Sequence, residues 1–347
     1  MYFATCVFLG EKGWQGKKRE VFDMKLNTKQ TIQIGFAFLS ICAFWQMYNN
    51  VIPLMLTNTF HMNETFSGAI MAADNVFALV LLPLFGGLSD RCKSRLGKRK
   101  PFIFTGTVCA VFLMLLIPYL DNRFFANPKS AVEVVFVVVL GCLLVAMGTY
   151  RSPAVALMPD VTPKPLRSKG NAIINLMGAV GGILYLVIAS VLYSKSRTEG
   201  LAHVDYMPLF MIVAGIMILS LLVIMFMVDE VKLTLEQAAY EAAHPEEKLT
   251  EENEKGEEKL PKDVKKSLIF LLTSIALWFM GYNAIETWFT TLANRMWDMS
   301  LGGASLCLTI ATGGAILSYI PSGILASKIG RRTTIMTGVL LLTSCFA

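Results

Sequence analysis

Charge is scarce in this sequence. Asp, Glu, Lys and Arg make up 16% of its 347 residues and hydrophobic residues 54%, whereas an ordinary soluble domain is about a quarter charged. A soluble core would scatter its apolar residues at helix or strand period. Here they gather in long runs between short polar segments, which indicates a membrane protein. The seven cysteines (Cys6, Cys42, Cys92, Cys109, Cys142, Cys307, Cys345) are odd in number, contain no CxxC pair and fall mostly inside apolar runs. Neither a disulfide framework nor a zinc site is indicated. His61, His203 and His244 lie in polar connecting segments. HExxH, GxSxG, Walker A and GxGxxG patterns are all missing, so nothing points to an enzyme, an ATP-driven pump, a cofactor or a metal. The net charge of +6 sits in short segments between apolar runs, where membrane orientation accounts for it. Nucleic acid is not expected as a partner.

A helix needs about 20 apolar residues to cross the hydrocarbon core. Eight runs qualify: Thr31–Thr57, Ser67–Ser89, Pro101–Leu120, Ala131–Met158, Asn171–Tyr193, Tyr206–Val228, Ser267–Leu292 and Ala304–Ser327. A ninth begins near Thr333. The fourth exceeds one bilayer thickness, which predicts tilt or projection beyond the membrane. Basic residues cluster after the second run (Arg91, Lys93, Arg95, Lys98, Arg99, Lys100), the fourth (Lys164, Arg167, Lys169) and the eighth (Lys328, Arg331, Arg332). The loops His61–Phe66 and Asp121–Ser130 carry few. By the positive-inside rule the first set, and with it the N-terminus, is expected in the cytoplasm.

Four regions follow: an N-terminal cytoplasmic segment (1–30), a six-helix half (31–228), a charged cytoplasmic linker (229–266) and part of a second half (267–347). The linker is rich in Glu and Lys, with helix expected near Leu233–Ala243 and disorder elsewhere. Met1–Asp23 is too short to span and lacks a small-residue cleavage site, and Met24 is a plausible start.

Two halves of a carrier leave an internal repeat. Trp45, Tyr48 and Asn49 in the first run are echoed by Trp278, Tyr282 and Asn283 in the seventh. Gly86-Gly87-Leu88-Ser89-Asp90-Arg91, leading to Gly97-Lys98-Arg99-Lys100, is echoed by Gly323-Ile324-Leu325-Ala326-Ser327-Lys328-Ile329-Gly330-Arg331-Arg332. These loops resemble the G-x-x-x-D-R…G-R-R loop of the major facilitator superfamily. Ser89-Asp90-Arg91 with Arg95 to Phe102, Leu157-Met158-Pro159-Asp160 and Arg167 to Asn171 resemble the glycoside-pentoside-hexuronide:cation symporters and the sucrose-type carriers. The resemblance runs from about Thr31 onward. It implies an all-α membrane protein of two six-helix halves, of which the chain is expected to stop after about eight and a half spans and therefore not to transport by itself. It also implies a cytoplasmic gate at Gly86, Asp90, Arg91, Gly97, Arg99, Asp160, Arg167, Gly330 and Arg331. Aligned on Pro83, the melibiose-type sodium symporters carry carboxylates where this chain has Leu82 and Ala78. The sucrose-type, proton-coupled branch is the better comparison.

Charges inside spans are costly and usually face a cavity or one another. Asp74, Arg151 and Glu286 are such residues, and Asp74 and Glu286 are candidates to carry a coupling proton. Sugars present hydroxyl rings with apolar faces, so their sites combine amides and carboxylates with an aromatic platform. Trp45, Gln46, Tyr48, Asn49 and Asn50 supply that mixture, joined by Asn75, Arg151, Asn175, Tyr282 and Asn283. Gly178 and Gly182 form a GxxxG pair suited to close helix packing. The expected function is secondary transport of a sugar or glycoside, coupled to a cation, H+ before Na+. The alternative is a carrier or exporter of another small solute such as an organic anion. Lipid is the expected surroundings, and an oligomer is not required.

Overall fold

The computed structural model describes residues 27–163, 166–243 and 262–346, with backbone alone at 241–243, 262–263, 319–328, 331 and 346. Residues 1–26 and 244–261, which hold most of the N-terminal segment and the stretch of the linker expected to be disordered, lie outside the described residues. Among the described residues there is no strand. The helices are α1 (Thr28–Leu54, continued by a π-helical turn Met55–Thr59), α2 (Glu64–Arg91), α3 (Lys100–Ala126), α4 (Ser130–Val161), α5 (Arg167–Leu192), α6 (Met207–Met227), α7 (Glu230–Ala243), α8 (Lys262–Trp297), α9 (Leu301–Ile329) and α10 (Arg331–Phe346). A single helical turn, Lys195–Thr198, lies between α5 and α6.

Eight of these helices, α1 to α6 with α8 and α9, are long and apolar enough to cross a membrane. Each expected span falls on one of them; most of the helices run further at one or both ends, whereas α6 is one residue shorter at each end than the expected Tyr206–Val228. The extra turns are polar, and hydropathy does not register them. Side-chain caps mark several true starts: Asn27 accepts from Gln30 N, Asn63 from Thr65 N and Ser300 from Gly303 N. The third span was expected to end at Leu120; α3 instead continues to Ala126 and carries Asp121 into the interior.

Helix α1 lies at the centre, packed along α5 and touching α4, α6 and α8, while α3 lies on α4 and α6, α2 on α4, and α9 on α5. Small residues allow these approaches. A Cβ at Gly181 would lie 2.0 Å from the Leu39 carbonyl oxygen of α1, and one at Gly106 would lie 2.7 Å from the Tyr150 backbone nitrogen of α4. The small-residue contact expected from Gly178 and Gly182 is shifted: Gly178 and Gly181 make the close approaches, and Gly182 has only Gln46 Oε1 at 3.9 Å. One step along a helix turns a residue by about 100°, enough to change what it faces. Inside the seam Tyr150 OH bonds Ser40 Oγ at 2.6 Å and donates to the Ala37 carbonyl at 3.1 Å.

Gly181→Ala is expected to force α5 away from α1 and destabilise the purified protein by about 1–3 kcal/mol, the usual range for overpacking. Gly182→Ala should behave like wild type. Size-exclusion profiles after graded heating in detergent check this, and equal melting of the two variants contradicts the packing described.

Candidate functional site

Two polar clusters stand out, one at mid-span and one at the end that carries the basic loops. At mid-span, α1 presents Phe44, Trp45 and Tyr48 as an aromatic ladder, with ring centroids 5.4 Å apart for Trp45 and Tyr48 and 6.1 Å for Phe44 and Tyr48. The Arg151 guanidinium of α4 sits 5.5 Å from the centroid of Trp45, a cation–π arrangement. Asp74 of α2 lies within Coulombic range of Arg151 and of Tyr48. Three helices thus bring Trp45, Tyr48, Asp74 and Arg151 together. Tyr48 OH, Trp45 Nε1 and Asn50 Oδ1 are buried with no hydrogen-bond partner among the described residues, which is uncommon for buried polar atoms.

The other mid-span candidates are distributed around this group. Asn75 is exposed and donates to Asp74 Oδ1 at 2.8 Å. Asn49 is half-buried on α1, as is Asn175 on α5, and Gln46 faces Gly182. Asn50 is buried, its Nδ2 donating to the Gln46 carbonyl at 2.6 Å while its own carbonyl accepts from Thr290 Oγ1 of α8 at 3.0 Å. On α8, Trp278 stacks on Tyr282 at 5.7 Å, matching the α1 ladder, and Asn283 is half-buried. Glu286 is half-buried and within Coulombic range of Cys42 on α1.

At the basic end the central group is Arg99, 4% exposed. Its Nη2 donates to Asp90 Oδ1 and its Nη1 to Ser89 Oγ. Nε donates to Asp160 Oδ2 at 2.8 Å, and Nη1 also to the Gly86 carbonyl at 3.2 Å. Lys98 Nζ adds contacts to Asp160 Oδ2 at 3.1 Å and Asp90 Oδ1 at 3.9 Å. A planar guanidinium satisfied on several edges by two carboxylates is strong and directional. Asp90 therefore pairs with Arg99 and Lys98, whereas Arg91 is exposed in the last turn of α2, turned away from its neighbour by the helical step. Gly86 also lets α2 approach α4, since its Cβ would meet Ser152 Oγ at 3.1 Å. Arg167 Nε donates to the Thr162 carbonyl at 3.1 Å and ties the α4–α5 loop. In the second half Gly330 takes φ 90° between α9 and α10; Arg331 is described by its backbone alone.

One partner in this cluster was not legible in the sequence. Glu230 of α7 accepts the backbone N–H groups of Lys98 at 2.8 Å, Arg99 at 2.9 Å and Lys100 at 3.0 Å. The sequence places it in the charged linker 229–266, and no motif marks it.

The sequence matches the family model of the Major Facilitator Superfamily over residues 34–347. The chain belongs to this superfamily. Among curated relatives, a sucrose transport protein of Arabidopsis thaliana is 29% identical over 138 residues, which is 36% of this chain and 23% of the relative. A second from Arabidopsis thaliana is 32% identical over 129 residues (35% and 25%), and one from Oryza sativa subsp. indica 29% over 121 residues (31% and 24%). The matched segment spans about a quarter of each relative's length.

In this superfamily member the halves meet at the end opposite the basic loops. Thr290, Thr291 and Ala293 of α8 are buried there, whereas Leu268 to Leu272 near its start are exposed. Asn58 Nδ2 donates to Asn294 Oδ1 at 3.2 Å, Arg295 pairs with Glu64, and Gly302 N donates to the Tyr193 carbonyl at 2.9 Å. At the same end Asp121 is fully buried, with Oδ2 3.4 Å from His203 Nε2; that nitrogen lies 2.8 Å from Asn122 Oδ1, and Asn122 Nδ2 donates to Asp205 Oδ1 at 2.7 Å. Burial makes His203 harder to protonate, with the Asp205 carboxylate acting against that.

Asn58→Cys and Asn294→Cys in a cysteine-free background should be joined by a short bismaleimide. With a protease site placed in segment 244–261, the two halves should then stay together on a denaturing gel after cleavage. Separation of the halves at full modification contradicts the contact.

Proposed function

We propose that the protein is a secondary active transporter that moves a sugar or glycoside across the membrane by alternating access, coupled to a proton, with the basic end in the cytoplasm. The observation that carries this reading is the meeting of Trp45, Tyr48, Asp74 and Arg151 from three helices, with buried polar atoms that have no partner among the described residues beside aromatic faces. That is the chemistry a sugar needs: apolar ring faces on aromatics and hydroxyls on amides and charged groups. The names of the relatives support the same substrate class. Asp74 and Glu286 serve as proton carriers, since intramembrane carboxylates mark such paths. The clustered Lys and Arg of the loops support the orientation. A proton crossing ~100 mV is worth about 2.3 kcal/mol, sufficient for roughly fiftyfold accumulation.

In this reading the Arg99 cluster is a latch at the cytoplasmic end, and its closing and opening accompany the exchange between states. The Arg151 guanidinium in the site favours one second reading, an organic anion as substrate. Uptake into vesicles carrying the full-length gene product, with panels of sugars and organic anions and an imposed pH gradient, separates the two. Gradient-driven sugar accumulation is expected, and uptake confined to anions overturns the sugar reading. Asp74→Asn is expected to abolish accumulation against a gradient while leaving exchange. Asp90→Asn should lower turnover about tenfold with KM within about twofold, because a latch acts on the conformational step. A change confined to KM overturns the latch.

A further inference from the structure

The first N–H groups of a helix have no intrahelical acceptor and form a site for negative charge. At the start of α3 the N-cap residue Arg99 supplies no side-chain acceptor. Glu230, 1% exposed, fills that role from α7: Oε1 takes the N–H of Lys98 and Arg99, and Oε2 takes that of Lys100 with a longer bond to Arg99 at 3.2 Å. The preceding residue makes room for it. Gly97 has φ 108°, and a Cβ there would lie 2.3 Å from the carboxylate. Leu233 and Gln237, on the same face of α7, are also buried, and α7 packs on α4.

The residues held this way are the ones that make the latch. The backbone of 98–100 is fixed by Glu230, while the Lys98 and Arg99 side chains reach Asp90 on α2 and Asp160 on α4. Lys100 Nζ donates to the Met225 carbonyl near the end of α6 at 3.1 Å. Carboxylates on backbone N–H groups are charge-assisted and directional, so moving Glu230 moves the base from which Arg99 reaches.

We propose that Glu230 is a positioning residue of the latch and that the docking of α7, the first helix of the linker between the halves, sets whether Arg99 can span Asp90 and Asp160. The inference rests on the gate reading above. It makes the linker a regulatory element: any pull or partner that lifts α7 loosens 98–100 and opens the latch without touching the substrate site.

The test uses the full-length protein with Glu230→Gln, whose amide cannot accept on both atoms, and Gly97→Ala, which displaces the carboxylate while leaving it in place chemically. Each is expected to lower turnover about tenfold, or ~1.4 kcal/mol, with KM within about twofold. The double variant Glu230→Gln with Asp160→Asn should be no slower than the slower single one. Losses that multiply indicate an independent structural role and overturn the proposal. A second readout does not need transport. Cys92, the half-buried C-cap of α2, kept as the single thiol, should react several times faster with an impermeant maleimide from the cytoplasmic side in either variant. Wild-type labelling in both variants overturns the proposal, and if Glu230→Gln fails to reach the membrane, Gly97→Ala carries the comparison alone. Absence of wild-type uptake would remove the transporter reading, whereas the labelling result still decides whether Glu230 holds the loop.

Discussion

Hydrocarbon offers no hydrogen bonds, so each polar group that enters it must find a partner inside the protein. That constraint makes every described span a helix and then governs how the helices meet. Where the α1 ladder is disturbed after Pro53, the π-helical turn Met55–Thr59 follows, and Thr57 Oγ1 donates to the Pro53 carbonyl at 2.9 Å. Ser152 Oγ donates to the Leu82 carbonyl at 2.7 Å where α4 crosses α2. Ser40 with Tyr150, and Thr290 with the Asn50 carbonyl, are satisfied between helices in the same way. Against that background Tyr48 OH and Trp45 Nε1 are among the buried polar atoms that find no partner among the described residues, and they belong to the group that includes Asp74 and Arg151.

The apolar surface obeys the opposite logic. Leu79, Val80 and Leu84 on α2 and Ile269, Phe270 and Leu271 on α8 are exposed, which would be unfavourable in water and is ordinary against lipid. Helix α1 is central because its small residues, among them Gly35, Ala37, Ser40 and Ala43, let neighbours close on its backbone, and a larger side chain at any of them would push a helix away. Membrane insertion therefore constrains the outside of this fold weakly and the seam between α1, α4 and α5 strongly.

The spans and the repeat between α1 and α8 were legible in the sequence, because each is written in local patterns of hydropathy or in a loop motif; the motifs also named Asp90, Arg99 and Asp160, but not that Arg99 joins the two carboxylates. Asp121 was misplaced because a carboxylate usually ends an apolar run; α3 keeps it by burying it near His203. Glu230 was missed for a related reason. It opens a charged linker, its partners are backbone groups far away in sequence, and a three-way bond to N–H groups leaves no signature in residue types. The choice of Arg99 over Arg91 for Asp90 was equally hidden, since both are basic and only the helical turn separates them.

The two ends of the molecule are built differently, and the difference constrains how motion can pass between them. At the end opposite the basic loops the contacts join the halves: Asn58 to Asn294, Glu64 to Arg295, Tyr193 to Gly302. At the basic end the described bonds of Arg99 and Glu230 stay within the first half and α7. Such a cluster cannot hold the halves together by itself. What it does is tie α2, α3, α4 and α7 to one another; on the proposed transport reading the first half moves as one body while these bonds hold, and their release accompanies the exchange between states. On the proposed reading, rigidity of that kind lets a change at Asp74 or Glu286 be felt beyond the site, because packed helices shift between discrete arrangements rather than deform continuously. Since α7 leads into the segment that reaches α8, the chain connection between the halves starts from the piece that completes this rigid body.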